Sequence, residues 1–212
     1  VLAEEKGVYG IELDFRWTRD LVPVVVHDPD LERVFGMDAQ TAEHDFESLK
    51  CLCPAVPILQ QVVERFGNKM HLMIEVKHEP YPNPEHQNTI LEEILSNLIP
   101  GHDYHLISLD PEMLELIECV PDQAKMPVAE LNVGKLSEMA LEKKYAGVLG
   151  HYFLLNGPLV QKHLDAGQKV GTGYPDSRNC MSRELNRGVN WLFSNDAGGL
   201  EQIRKAMLAE DG

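Results

Sequence analysis

The stretch GIELDFRWTRDLVPVVVH, Gly10 to His27, places two apolar runs on either side of a short polar centre. In its first half Glu12 and Asp14 stand two residues apart, so on a β-strand they share one face while Ile11, Leu13 and Phe15 take the other. A parallel barrel strand has this pattern. Its apolar face packs outward against helices, and its inward carboxylates lie at the C-terminal end, where barrel active sites are built. The second half returns antiparallel if Asp20-Leu21 forms a two-residue hairpin turn, a register that pairs Arg19 with Val22 and sets Asp14 opposite His27.

Downstream, short apolar runs at 71–76, 105–109, 126–131, 147–149, 169–172 and 191–194 alternate with amphipathic segments at 58–66, 85–98, 111–119, 136–143, 157–166, 179–187 and 197–208. Strands alternating with helices imply βα units and a parallel sheet. Asp110-Pro111 and Asn195-Asp196 supply helix-start signals. The α/β class follows, and seven parallel strands predict a TIM (β/α)8 barrel lacking its first βα unit, with a doubly wound sheet as the competing arrangement. A complete barrel takes about 250 residues. The chain has 212, and its first residues read as the end of a helix running into a strand. Without linker, internal repeat or low-complexity segment, 1–212 is expected to form a single barrel domain.

A formal net charge of −15 opposes nucleic acid and anionic membrane surfaces, which demand a basic footprint. An anionic small molecule would need a local positive centre, such as a bound cation. No run approaches the ~20 apolar residues of a membrane span, so no stable membrane insertion is expected. Cys51, Cys53, Cys119 and Cys180 match neither zinc-knuckle nor C-x-x-C spacing; they read as ordinary thiols and lean towards a cytoplasmic location. Oligomeric state is not encoded in any pattern here.

Neighbouring carboxylates such as Glu12 and Asp14 repel unless one is protonated or a cation lies between them, and clustered oxygen ligands suit Ca²⁺ or Mg²⁺. The plainer alternative is an exposed strand end with two solvated acids. His71-Leu-Met-Ile-Glu75-Val-Lys77 brings a third carboxylate and a cation together at another strand's C-terminal end. If the two strands are neighbours, Glu75 completes a metal site with Glu12 and Asp14, and Lys77 neutralises a bound phosphate. Taken alone, Glu-x-Lys reads as a surface ion pair, and His27 as an ordinary strand-end histidine.

The stretch from Gly10 to Asp28, with Leu31 and Arg33 after it, resembles the signature of the glycerophosphodiester phosphodiesterases. Val56-Pro-Ile-Leu-Gln-Gln-Val-Val, Ile74-Glu-Val-Lys77, Ser108-Leu-Asp-Pro-Glu112 and Trp191-Leu-Phe-Ser-Asn-Asp196 follow in the family's order. The resemblance implies a (β/α)8 barrel that hydrolyses glycerophosphodiesters to sn-glycerol 3-phosphate and an alcohol, with a small-molecule substrate and a divalent cation. By the same resemblance Glu12, Asp14 and Glu75 match metal ligands, His27 one of two acid/base histidines, and Lys77 a residue of the phosphate site. The family's opening strand ends in His-Arg-Gly and is followed by Glu-Asn-Thr. Neither occurs before Glu12, so the resemblance implies a chain that begins after the first βα unit. A phospholipase D toxin-like lipid phosphodiesterase and a non-catalytic barrel binding metal or phosphodiester are the alternatives. Tyr174 stands near the place of a substrate-side tryptophan in the family, at an offset that leaves it without a role, and His151 reads as structural.

Overall fold

The computed structural model describes residues 2–210. In chain order the elements are α1 (Leu2–Lys6), β1 (Gly10–Trp17), β2 (Pro23–Val25), β3 (Asp30–Leu31), α2 (Glu32–Phe35), β4 (Met37–Gln40), α3 (Phe46–Leu52), α4 (Leu59–Phe66), β5 (His71–Val76), α5 (Pro84–Leu95), β6 (Tyr104–Ser108), α6 (Pro111–Leu116), β7 (Lys125–Ala129), α7 (Val133–Glu142), β8 (Gly147–His151), α8 (Gly157–Asp165), β9 (Lys169–Gly173), α9 (Arg178–Asn186), β10 (Trp191–Phe193) and α10 (Ala197–Glu210). Every strand and helix expected from periodicity is present, with ends displaced by a few residues. Val1 lies outside the described residues. Among those residues no helix is long and apolar enough to cross a membrane, and all four cysteines are free thiols.

The chain divides into two compact units, one of residues 12–121 and one of residues 1–11 with 122–212. In the first, the strands lie in the order β6-β5-β1-β2. β5 and β6 are parallel, with Glu75 beside Ile107, and every residue of β5 is buried, as expected for a strand covered on both faces. β1 alternates as its sequence requires: Leu13, Phe15 and Trp17 are buried and Glu12, Asp14 and Arg16 are less so. Its antiparallel partner β2 begins an excursion carrying the β3–β4 hairpin, α2 and α3. This segment has its own small core of Val24, Leu31, Leu49 and Val56.

The other unit holds β7 to β10 in sequential order, parallel through the pairs β7–β8, β8–β9 and β9–β10. Leu136, Val148, Val160 and Val170 pack between strands and helices. Gly147, at φ 156°, opens β8 where an added Cβ would lie 1.7 Å from the Lys169 carbonyl oxygen, so no larger residue fits the ladder there. Helix starts are capped as their sequences announce. Asp110 accepts from the Glu112 N–H on α6, Asn156 from Leu159 on α8, and Asp196 from Gly199 on α10.

The expected hairpin register needs correction. The observed partners are Phe15 with Val25, Arg16 with Val24 and Trp17 with Pro23, one residue away from the two-residue-turn register. Thr18 is the cause. Its N–H donates to the Val22 carbonyl at 3.1 Å, and its hydroxyl accepts from the Val22 N–H at 2.9 Å and donates to Asp20 Oδ1 at 2.6 Å. Arg19, Asp20 and Leu21 thus form a three-residue loop, with Leu21 in the left-handed region at φ 61°. A one-residue change reverses every facing relationship, and Asp14 and His27 are not cross-strand partners.

Candidate functional site

Adjacent strands β1 and β5 bring Glu12, Asp14 and Glu75 together, each offering one carboxylate oxygen, all within 4.8 Å of one another. Lys77 follows from β5 with its Nζ 2.6 Å from both Asp14 Oδ1 and Glu75 Oε1. Burial works against the Lys77 charge, but the two carboxylates outweigh it and hold the ammonium above its usual range. Glu12 is exposed as a residue, yet its carboxyl is crowded. Removal from water, then the charges of Asp14 and Glu75, push it up to about 7, with Lys77 opposing.

Three carboxylates facing one ammonium leave a local excess of two negative charges, which a divalent cation would balance. Clustered hard oxygens at this spacing match what Ca²⁺ or Mg²⁺ accepts. The donor set therefore fits such an ion.

The neighbouring loops are fixed around Lys77. Ser108 Oγ, at the end of β6, donates to the Val76 carbonyl at 2.7 Å, and Asp110 Oδ2 lies 2.5 Å from His78 Nδ1. The residues on each side of Lys77 are thus held by Ser108-Leu-Asp110, a segment to which the sequence gave no role. Arg16 is a second addition. Its Nε donates to the His27 carbonyl at 3.0 Å and its Nη1 to Glu79 Oε2 at 3.3 Å, while Glu79 Oε1 takes the Trp17 N–H at 2.8 Å. Strand alternation already placed Arg16 on the face of Glu12 and Asp14, which was the available signal.

His27 lies in the exposed segment after β2, and its Nδ1 is 2.7 Å from Asp28 Oδ1. The other Asp28 oxygen receives Arg33 Nε at 2.5 Å. Hydrogen bonds from Arg33 and then His27 hold the Asp28 carboxyl down to about 2. The imidazole is therefore oriented by its own neighbour rather than by Asp14. In the other unit, His151 ends β8 exposed, its Nδ1 accepting from the Phe153 N–H at 3.2 Å, and the exposed Tyr174 ring lies 6.4 Å away from it.

A profile of the glycerophosphoryl diester phosphodiesterase family matches residues 2–198. A glycerophosphodiester phosphodiesterase of Bacillus altitudinis is 25% identical, over 97% of this chain and 90% of the relative. Among solved structures, the glycerophosphodiester phosphodiesterase of Thermotoga maritima superposes with a TM-score of 0.78 at 18% identity, over 95% of this chain and 88% of that one. A phosphodiesterase of Oleispira antarctica, solved with the product sn-glycerol-3-phosphate, gives 0.77 at 20% identity, over 96% and 88%. The fold class is accordingly that of these enzymes, an α/β TIM barrel.

Proposed function

The chain belongs to the glycerophosphoryl diester phosphodiesterase family, and on that premise we propose that it hydrolyses glycerophosphodiesters to sn-glycerol 3-phosphate and an alcohol with a divalent cation, Ca²⁺ or Mg²⁺, held by Glu12, Asp14 and Glu75. The observation that carries the reading is the convergence of those three carboxylates within 4.8 Å beside Lys77. A bound divalent cation supplies Lewis-acid polarisation of the phosphoryl oxygens.

The protein's own groups do the rest. Lys77 places a positive charge at the same point and offsets the charge gathering on the phosphoryl oxygens. With Nδ1 directed at Asp28, His27 presents Nε2 for proton transfer, and an imidazole is suited to that work near neutral pH. Water adds to phosphorus, the bond to the alcohol oxygen breaks, and the proton released at one oxygen is returned at the other. Arg16 and Glu79 position the strand end and the loops flanking this centre. We read 1–212 as one barrel domain, since the likeness to single structures spans nearly all of the chain. The free thiols support a reducing, cytoplasmic setting.

The test is release of sn-glycerol 3-phosphate from glycerophosphocholine and glycerophosphoinositol, with and without cation. Chelation should abolish release. Glu12→Gln, Asp14→Asn and Glu75→Gln should each weaken calorimetric cation binding by at least about tenfold, since even partners behind a ligand cost 10–100-fold. Turnover that survives chelation, or triple-carboxylate variants that bind cation normally, would remove the metal assignment. Cation binding without turnover of either ester would favour a non-catalytic barrel.

A further inference from the structure

Beyond Asp14 and Lys77, two positions further along each segment, Arg16 and Glu79 begin the wall of a cavity of about 530 Å³. That volume lies in the range of small-molecule sites, and at 3.2–3.4 Å per residue two positions of strand are about 7 Å. A group attached to a phosphate seated at the carboxylate centre would reach it. Trp17 and Thr41 also line the cavity; they are only 3% and 1% exposed. The indole Nε1–H of Trp17 and the Thr41 hydroxyl are both buried without a hydrogen-bond partner. Buried polar groups in native proteins are normally satisfied, and two such groups on one cavity mark a place where a polar ligand or ordered water belongs.

Other features identify the ligand. Both Glu79 oxygens are already engaged, by the Trp17 N–H and by Arg16. Arg19, which also lines the cavity, is taken by Asp45 at 2.7 Å. No uncommitted carboxylate among these groups awaits an ammonium, and a trimethylammonium has no lone pair to accept from an indole N–H. A hydroxyl can accept from Trp17 Nε1–H and exchange a hydrogen bond with Thr41 at once. The indole is held for that task by edge-on contacts with Phe15 and Tyr81, at ring separations of 5.7 and 5.8 Å. Pro80 and Pro82 supply rigid apolar wall.

Resting on the proposed phosphodiesterase reading, we infer that this cavity is the subsite for the alcohol portion of the substrate, and that it selects a neutral polyhydroxylated alcohol over a quaternary ammonium alcohol through Trp17 and Thr41. The experiment uses the full chain carrying Trp191→Phe, so that Trp17 is the remaining tryptophan. Its fluorescence is titrated, in saturating Ca²⁺, with glycerophosphoinositol and with glycerophosphocholine, alongside turnover of both. The inositol ester should shift the Trp17 signal at a concentration at least several-fold below the choline ester. Thr41→Val should lower the ratio of kcat/KM for the inositol ester to that for the choline ester about fivefold to tenfold, the worth of one hydrogen bond. A Trp17 signal that ignores both esters, or answers both equally, overturns the inference whether or not either is hydrolysed, and leaves the cavity to water. A selective Trp17 response without turnover would keep the subsite and remove the activity. Thermal melts and Trp17→Phe, which keeps the ring and loses the N–H, separate loss of the donor from loss of the fold.

Discussion

Glu12 is the residue where the electrostatics of the carboxylate cluster can be read directly. With its carboxyl pushed up to about 7 by burial and by two neighbouring acids, it holds its proton through mildly acidic pH. A cation needs the ionised form, so proton and cation compete. Affinity should therefore rise with pH up to about 7 and level off above it, while below 7 the apparent Kd grows by up to about tenfold per pH unit. Calorimetry with Ca²⁺ between pH 5.5 and 8 checks this, with Glu12→Gln expected to bind weakly but with a flattened profile. A wild-type profile flat across that range would contradict the cluster's geometry as the cation site. The same cluster also shows what a sequence carries at this scale. Glu12 and Asp14 share a face by alternation, and Glu75 and Lys77 do likewise, so four site residues are legible once two strands are set side by side. Arg16 and Glu79 are not, because their pairing spans 63 residues and no local period announces it. The orientation of His27 depends on Asp28 and Arg33, adjacent in sequence but separable only once the register is known.

At the scale of elements, legibility follows length and regularity. β5 reads as a strand because every residue of its apolar run is buried, and α5, α6 and α8 read as helices because Asn83-Pro84, Asp110-Pro111 and Asn156-Gly-Pro158 start them. The excursion from Asp30 to Leu52 resists such reading. Its pieces are two to seven residues long and carry charges such as Glu32, Arg33 and Asp38, with no sustained period. The hairpin register turned on a single hydroxyl, that of Thr18. Helix α8 carries a different lesson in His163, which is fully buried. Its Nε2 lies 2.8 Å from Ser137 Oγ and its Nδ1 2.6 Å from Gln168 Oε1. The trio mimics a nucleophile, a base and its orienter, but with all three buried it serves as a polar pin between α7, α8 and the start of β9. Burial lowers the His163 pKa below its usual 6.5, with Gln168 opposing and Lys162 assisting. The unfolded chain then binds a proton near 6.5 that the folded chain refuses, so stability falls as pH drops below 6.5. Urea unfolding between pH 7.5 and 5 should show this loss, at most about 1.4 kcal/mol per pH unit from this residue. His163→Gln should start less stable at pH 7.5 and lose less on acidification; equal slopes would mean that the histidine is charged in the fold.

For the whole molecule, the governing quantity is the net charge of −15. A field of that sign draws a divalent cation towards the carboxylates and repels a phosphodiester anion, so added salt should act on the two ligands in opposite directions. Raising ionic strength from about 0.01 M to 0.15 M shortens the screening length from about 30 Å to about 8 Å. Cation affinity should weaken several-fold over that range. At saturating cation, kcat/KM for a glycerophosphodiester should hold or rise, because screening removes repulsion while the short-range contacts of Lys77 with bound phosphate persist. The comparison is decisive because a site that relied on a basic surface to gather its substrate would lose kcat/KM steeply with salt. A steep fall would mean that long-range attraction delivers the substrate despite the acidic chain, and that a cationic surface, rather than the cation held at Glu12, Asp14 and Glu75, receives the phosphate.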